Sequence, residues 1–368
     1  MKKRVLMCVP SLGICNGITT FIMSFYEYLL QHEYSVDFLL VTDKNLEMEP
    51  YVSEKGSKVF KVPNGGKYDK KRIAYINRVF KAEAYDIVHV NFPGPNGALV
   101  LKAAKKNGVK YRVYHCHNPL NNLSMKTRIS EGIFTPLCRK RANKYVACSG
   151  AAGKSVFGDA KFEVIKNAIR PEDFLFDPDG RKQIREKSGI ENRLVVGVAA
   201  RMEEQKNPSF LIEVFSEFKK LQKDAVLLWV GDGSKMAQMR ELCNEKNLQD
   251  AVLFVGRQSN VVEWYSAMDM FLLPSKFEGL GIVYLEAQAN GLHCFGSDCV
   301  PEETEVTDRM HRISLEKSAA EWAEEMLRVT KGQSGLREVN LELFRVCGYD
   351  INYVENRLYE VYESYFHE

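Results

Sequence analysis

The sequence has no apolar run long enough to cross a bilayer. Stretches such as Ala225–Val230 fall far short of the roughly 20 residues a spanning helix needs. The opening Met1-Lys2-Lys3-Arg4 followed by Val5–Pro10 imitates a signal peptide. Its apolar part is short, however, and leads into Gly13, Asn16 and Gly17 with no small-residue cleavage pattern, so it reads as a first strand. The nine cysteines are odd in number, form no Cys-x-x-Cys pair and lie mostly in apolar segments. That argues against a disulfide framework or a zinc site and for reduced structural thiols in a cytosolic protein. The Gly-x-Gly-x-x-Gly fingerprint is missing, and no acid clearly ends the second strand as a ribose ligand, which disfavours a nicotinamide cofactor. A nucleic-acid partner lacks both a recognition motif and an aromatic stacking platform, and no low-complexity tract interrupts the chain.

What is present is an ordinary globular composition, 45% hydrophobic and 27% charged, in 368 residues, a length that favours two domains over one core. The net charge of +3 conceals an asymmetry: residues 1–170 carry 28 Lys and Arg against 13 Asp and Glu, a surplus of 15, while the remainder has a deficit of 12. A basic first half suits an anionic surface or substrate. Along the chain, short apolar strands alternate with helix-length segments, the pattern of βαβ units and parallel sheets. A first series runs from the strand 5–9 to a strand over 162–165, with a turn at 91–97 before a helix over 98–106. Residues 167–192 are polar and turn-rich, with a linker placed at 168–180. A second series begins at the strand 194–199, and one long aromatic-rich helix is expected over 350–366. Two Rossmann-like halves, an α/β architecture, follow.

The second series is organised around Pro274–Gly291, reading PSKFEGLGIVYLEAQANG. An apolar strand ends at Pro274, and a helical pattern runs from Ile282 to a stop at Asn290-Gly291. Glu278 therefore lies in a strand-to-helix loop and Glu286 inside the helix, at the sheet edge where open α/β folds bind ligands. A solvated loop acid and a surface helix acid remain the plain alternative. Arg201 and Lys206 follow the first strand of this half and could clamp a diphosphate, the Arg as a planar fork and the Lys as a point charge; Glu203 and Glu204 could equally be their salt-bridge partners. In the first half, Gly13 and Gly17 open a helix whose N-terminus could approach a phosphate or simply make a turn. His115 and His117 alternate on a strand end and so face one side, and His89 reads as a buried, hydrogen-bonded histidine.

Taken together these segments resemble the family 4 retaining glycosyltransferases, through Ser11–Gly17, His115-Cys116-His117-Asn118, Ala147-Cys148-Ser149, Val164–Ala168, Ala200-Arg201 to Lys206-Asn207, Gly231-Asp232-Gly233 and the Glu-x7-Glu signature Glu278/Glu286. The wording is most similar to the bacterial branch that builds capsular and exopolysaccharide units. The resemblance implies a GT-B fold, with two Rossmann-like domains facing across a cleft and a C-terminal helix crossing back to the first. Residues 1–168 with 350–368 would form the acceptor domain and residues 169–349 the donor domain. It implies a hexosyltransferase that moves a sugar from a nucleotide donor, a UDP-sugar being the commoner kind, to a lipid-linked saccharide with retention and without metal or cofactor. By residue, Arg201 and Lys206 match the cations at the diphosphate, and Glu286 the carboxylate at the ribose. Glu278 with Gly279, Leu280, Gly281, Ile282 and Val283 matches the grip on sugar and phosphate, and His117, ahead of His115, the sugar-side histidine. Gly17 matches the loop under the phosphates, and Arg257 falls in the base-binding segment. A sugar-nucleotide epimerase and a non-catalytic partner subunit are the rival readings.

Two departures from the family pattern, Gly291-Leu292-His293 and Cys299-Val300-Pro301, lie behind the donor pocket and weaken any inference about the sugar. Lys126–Arg141 mixes Ile129, Ile133, Phe134 and Leu137 with Arg128, Arg139, Lys140 and Arg141. It could rest on an anionic membrane or pack as a helix with a solvated basic flank.

Overall fold

The computed structural model describes residues 2–13, 17–44, 46–65, 69–117, 125–331 and 337–367. Cys15, Asn16 and Asn118 of the sequence motifs lie outside them. The chain divides into two compact units, Met1–Ala168 with Ile351–Glu368, and Ile169–Asp350. In chain order the first unit holds β1 (Lys3–Val9), α1 (Gly17–Gln31), β2 (Tyr34–Leu40), α2 (Glu49–Glu54), β3 (Val59–Lys61), α3 (Lys70–Ala82) and β4 (Ile87–Val90). It continues with α4 (Gly94–Lys106), β5 (Tyr111–Cys116), α5 (Met125–Arg141), β6 (Lys144–Ala147), α6 (Gly150–Phe157) and β7 (Glu163–Val164). The second holds α7 (Pro178–Ser188), β8 (Leu194–Ala199), α8 (Pro208–Leu221), β9 (Ala225–Val230), α9 (Met236–Glu245), β10 (Val252–Gly256) and α10 (Val261–Ala267). Next come β11 (Met270–Leu273), α11 (Ile282–Ala289), β12 (His293–Ser297), β13 (Met310–Ile313), α12 (Ala319–Thr330) and α13 (Glu342–Val346). The chain then returns to the first unit with α14 (Ile351–Val354) and α15 (Arg357–Phe366).

Each unit is built on a parallel sheet, ordered β3-β2-β1-β4-β5-β6-β7 in the first and β10-β9-β8-β11-β12-β13 in the second. Both are Rossmann-like. In each, the strand order reverses once, between β1 and β4 and between β8 and β11, and the connections that diverge there leave room for a ligand at the carboxyl edge. The central strands β4, β8, β9 and β11 are buried on both faces, as parallel strands covered by helices must be, while the edge strands β3, β7 and β10 are only partly so. In β1, Val5, Met7 and Val9 pack with Phe21, Phe25 and Tyr362 on one side, while Leu6 and Cys8 pack with Val100, Leu101 and Phe157 on the other.

Three sequence readings need correction. α4 starts at Gly94, not at residue 98, because Pro95 sits in the first turn, where a missing N–H costs nothing. The polar stretch over 167–192, read without a helix, contains α7, which begins inside the linker placed at 168–180: the Asp177 side chain accepts from the N–H groups of Asp179 and Gly180, Pro178 opens the helix, and Gly189 closes it in the left-handed region at φ 64°. The expected long terminal helix is broken in two at residues 355–356. The elements α2, β13 and α13 were not read from the sequence at all.

Candidate active site

At the reversal point of the second sheet, Met270 and Phe271 of β11 lie beside Val196 and Gly197 of β8. The loops that leave these two strands therefore emerge side by side. One carries Arg201 and Lys206, the other Glu278. Lys206 Nζ donates to Glu278 Oε1 at 2.6 Å, and the pair is nearly buried, with side-chain exposures of 15% and 4%. Ser275 Oγ donates to the same Oε1 at 2.6 Å. Gln205 Nε2 donates to the Phe277 carbonyl at 3.0 Å and Lys276 N to the Gln205 carbonyl at 2.8 Å, so the two loops are laced together beside the ion pair.

The acids between the two cations take other partners. Glu203 accepts from Ser234 N at 3.0 Å and Ser234 Oγ at 2.7 Å, and Glu204 pairs with Lys276 and, at 3.6 Å, with Lys235. Lys206 is thus committed to Glu278, while Arg201 keeps an exposed side chain. The Arg201 loop is held from beneath by Gly231-Asp232-Gly233. A Cβ on Gly231 would lie 2.2 Å from the Ala200 carbonyl oxygen, and one on Gly233 2.6 Å from Met202 N, so only glycine permits the approach. Arg257, just past β10, pairs with Asp232 at 3.4 Å, and the Gly231 N–H donates to the Gly256 carbonyl at 2.7 Å.

Gly281, at φ 83°, turns the Glu278 loop into α11, whose N-terminus carries no side-chain cap. Gly279, Leu280, Ile282 and Val283 surround that open end, where unpaired N–H groups favour an anion. Glu286 lies further along α11. Tyr265 Oη donates to its Oε2 at 2.7 Å, yet burial dominates and pushes the carboxyl up to about 7. The sequence reading missed Ser275, Gln205 and Tyr265, whose partners lie on other elements.

In the first unit, His115 and His117 do face the same way, with rings stacked 4.0 Å apart and Phe21 edge-on to both. His89 Nε2 meets His115 Nδ1 at 3.0 Å, and His89 Nδ1 bonds the Tyr362 hydroxyl. His117 Nε2 bonds Asn91 Oδ1 at 2.9 Å. Burial holds all three imidazoles neutral, bringing His89 and His117 down to about 3 and His115 well below its usual value. Gly17 opens α1, and Thr19 Oγ ties the first turn of that helix to the Ser11 carbonyl at 2.9 Å. α5 divides its apolar residues: Phe134 and Cys138 are buried, while Ile129 and Ile133 are 60% and 56% exposed. No described helix is long and apolar enough to cross a membrane, and among the described residues no cluster of three His, Cys, Asp or Glu could hold a metal ion. The Asp-x-Asp triplet Asp177-Pro178-Asp179 spends its first carboxylate capping α7.

Two Rossmann-like parallel-sheet units in one chain, with a cation–carboxylate pair at the reversal point of the second sheet, are the layout of the GT-B enzymes. The chain belongs to family 4 of the glycosyltransferases: residues 15–173 match the description "Glycosyltransferase Family 4" and residues 180–340 "Glycosyl transferases group 1". It is 30% identical over 376 aligned residues to the putative glycosyltransferase EpsF of Bacillus subtilis, covering 98% of this chain and 96% of that one. It is also 28% identical to the Escherichia coli UDP-Gal:alpha-D-GlcNAc-diphosphoundecaprenol alpha-1,3-galactosyltransferase, over 62% of each chain. In fold it matches HepE of Anabaena, solved in complex with UDP and glucose, with a TM-score of 0.80 at 16% identity over 98% of this chain and 100% of that chain.

Proposed function

We propose that this glycosyltransferase moves a hexosyl group from a UDP-sugar to a lipid-linked saccharide during exopolysaccharide assembly, with retention of configuration and without a metal ion. The observation that carries the reading is the preformed Lys206–Glu278 pair at the reversal point of the second sheet. Breaking the bond between sugar and diphosphate leaves negative charge on the nucleotide and positive character on the anomeric carbon. Lys206, already held by Glu278 before the charge appears, would stabilise the first, which is where fixed cations contribute most, and Arg201 would add its charge. The open end of α11, with Gly279–Val283, would take a phosphate, Glu278 would face the sugar, and Glu286 would accept from the ribose hydroxyls. Gly17 would lie under the phosphates, Arg257 near the base, and His117 on the sugar side.

Retention fits the state of Glu278. Its Oε1 accepts from both Lys206 and Ser275, so it is a poor nucleophile. The acceptor hydroxyl would attack from the side the diphosphate leaves, forming the new C–O bond as the old one breaks and passing its proton to the departing phosphate oxygen. The uridine donor and lipid-linked acceptor draw support from HepE, solved with UDP, and from the E. coli enzyme, whose name gives both substrates. Thermal-shift measurement against a panel of sugar nucleotides, with and without chelator, tests the reading. At least one UDP-sugar should stabilise the protein equally in both. Stabilisation by none removes the donor assignment, dependence on a metal removes the mechanism, and donor turnover without acceptor points to an epimerase.

A further inference from the structure

Buried polar groups are almost always hydrogen-bonded, so each exception asks for a reason. Two exceptions lie together in the first unit: His115 Nε2 and His117 Nδ1 are buried and have no partner among the described residues, and they belong to the stacked pair. The neighbouring bonds decide what each atom presents. Asn91 Nδ2 donates to the carbonyls of Cys8 and His89, both at 3.2 Å, which fixes its Oδ1 as the acceptor facing His117. His117 Nε2 therefore carries the proton, and its Nδ1 is a bare lone pair.

The polarity at His115 is set from farther away. If the Tyr362 hydroxyl donates to His89 Nδ1, then His89 Nε2–H donates to His115 Nδ1, and His115 Nε2 carries a proton. The reverse direction would leave the fully buried Tyr362 O–H without an acceptor among the described residues, as well as an unpaired lone pair on His115. The first direction leaves a single unpaired N–H. It costs less, since each direction strands one donor and only the reverse strands an acceptor as well.

We infer that Tyr362, on α15, is a positioning residue that fixes His115 as an N–H donor, so that the stacked histidines offer one donor and one acceptor to a neutral hydroxyl. A hydroxyl can take one hydrogen bond and give one. A carboxylate or phosphate oxygen has no proton to give and would be repelled by the His117 lone pair. Assigning that hydroxyl to a sugar rests on the glycosyltransfer reading above, and the site would then favour neutral sugars over uronic acids.

Histidine side-chain nitrogen NMR on the unliganded protein tests the chain directly, with only seven histidines to assign. In the wild type, His89 and His115 should each carry their proton on Nε2 and His115 Nδ1 should read as unprotonated. In Tyr362→Phe, which keeps the ring and removes the donor, the single His115 tautomer should be lost to a mixture. A wild-type proton on His115 Nδ1, or an unchanged tautomer in Tyr362→Phe, overturns the inference. A tyrosine that only packs would alter the melting temperature and leave the tautomer alone. The wild-type spectrum decides the direction of the chain whether or not the variant folds. Because no ligand is present, a negative result leaves the glycosyltransfer reading standing.

Discussion

Lys206 and Glu278 are 72 positions apart and meet at 2.6 Å, so each is the other's nearest charge until a donor arrives. Lys206→Ala should lower kcat/KM by roughly tenfold to a thousandfold, the range for a removed transition-state charge; steady-state kinetics near wild type would show that the clamp is elsewhere. Glu286 sets a pH dependence. Its carboxyl is held up near 7 by burial, while a ribose hydroxyl binds best to the ionised form. The affinity for UDP, read by calorimetry, should rise between pH 6 and 8 in the wild type and be flat in Glu286→Gln. The stability effect has the opposite sign. The folded state holds this proton more tightly than the unfolded chain does, so the group's contribution is present below the ordinary carboxylate range and is lost as pH climbs toward 7. Melting curves of wild type and Glu286→Gln should therefore diverge across that window, and parallel curves would mean the carboxyl titrates normally.

The elements of the second unit owe part of their arrangement to one acid. Asp269, just before β11, accepts from Arg181 and Arg185 of α7, both at 2.6 Å, and from the Val195 N–H at 2.7 Å. Arg185 is almost wholly buried. Asp269→Ala would leave the buried Arg185 guanidinium without its carboxylate, held only by the Ala267, Glu191 and Arg193 carbonyls, and loosen α7 on the sheet. Denaturant unfolding should show a loss of about 2–4 kcal/mol, and an unshifted midpoint would mean that water takes over the contacts.

That network also marks where sequence reading failed. α7 buries Ile184 but otherwise presents charged side chains, so its inner face has no hydrophobic signature, and its cap residues spell a turn. Most strands, by contrast, are short apolar runs and are legible, as is the Glu278/Glu286 spacing; β13, reading Met-His-Arg-Ile, is the exception. The pairing of Lys206 with Glu278 was not, because it depends on β8 lying beside β11, which strand order alone decides. The same holds for His89 and Tyr362, 273 positions apart.

At the scale of the whole molecule, the basic surplus of residues 1–170 coincides with a helix that exposes Ile129 and Ile133 four positions apart. That is one face of α5, with Arg128 and Lys140 also at the surface. Arg141 is less available, since its Nη1 donates to the Ala98 carbonyl at 2.6 Å. We predict binding to vesicles rich in phosphatidylglycerol that weakens as salt is raised and falls further in Ile129→Ser/Ile133→Ser. Salt-insensitive or absent co-sedimentation would remove the membrane from the reading.

The return of α15 to the first unit has a consequence for the order of assembly. Leu358, Val361, Tyr362 and Tyr365 belong to the same core as Val5, Phe21 and Tyr34, so β1 waits for α15, some 350 positions later in synthesis, to complete its core. The second unit, Ile169–Asp350, is continuous in the chain and has all of its residues before the first unit does. Translation from the amino end usually lets the leading domain fold first. Here the first unit begins ahead of the second yet closes its core after it.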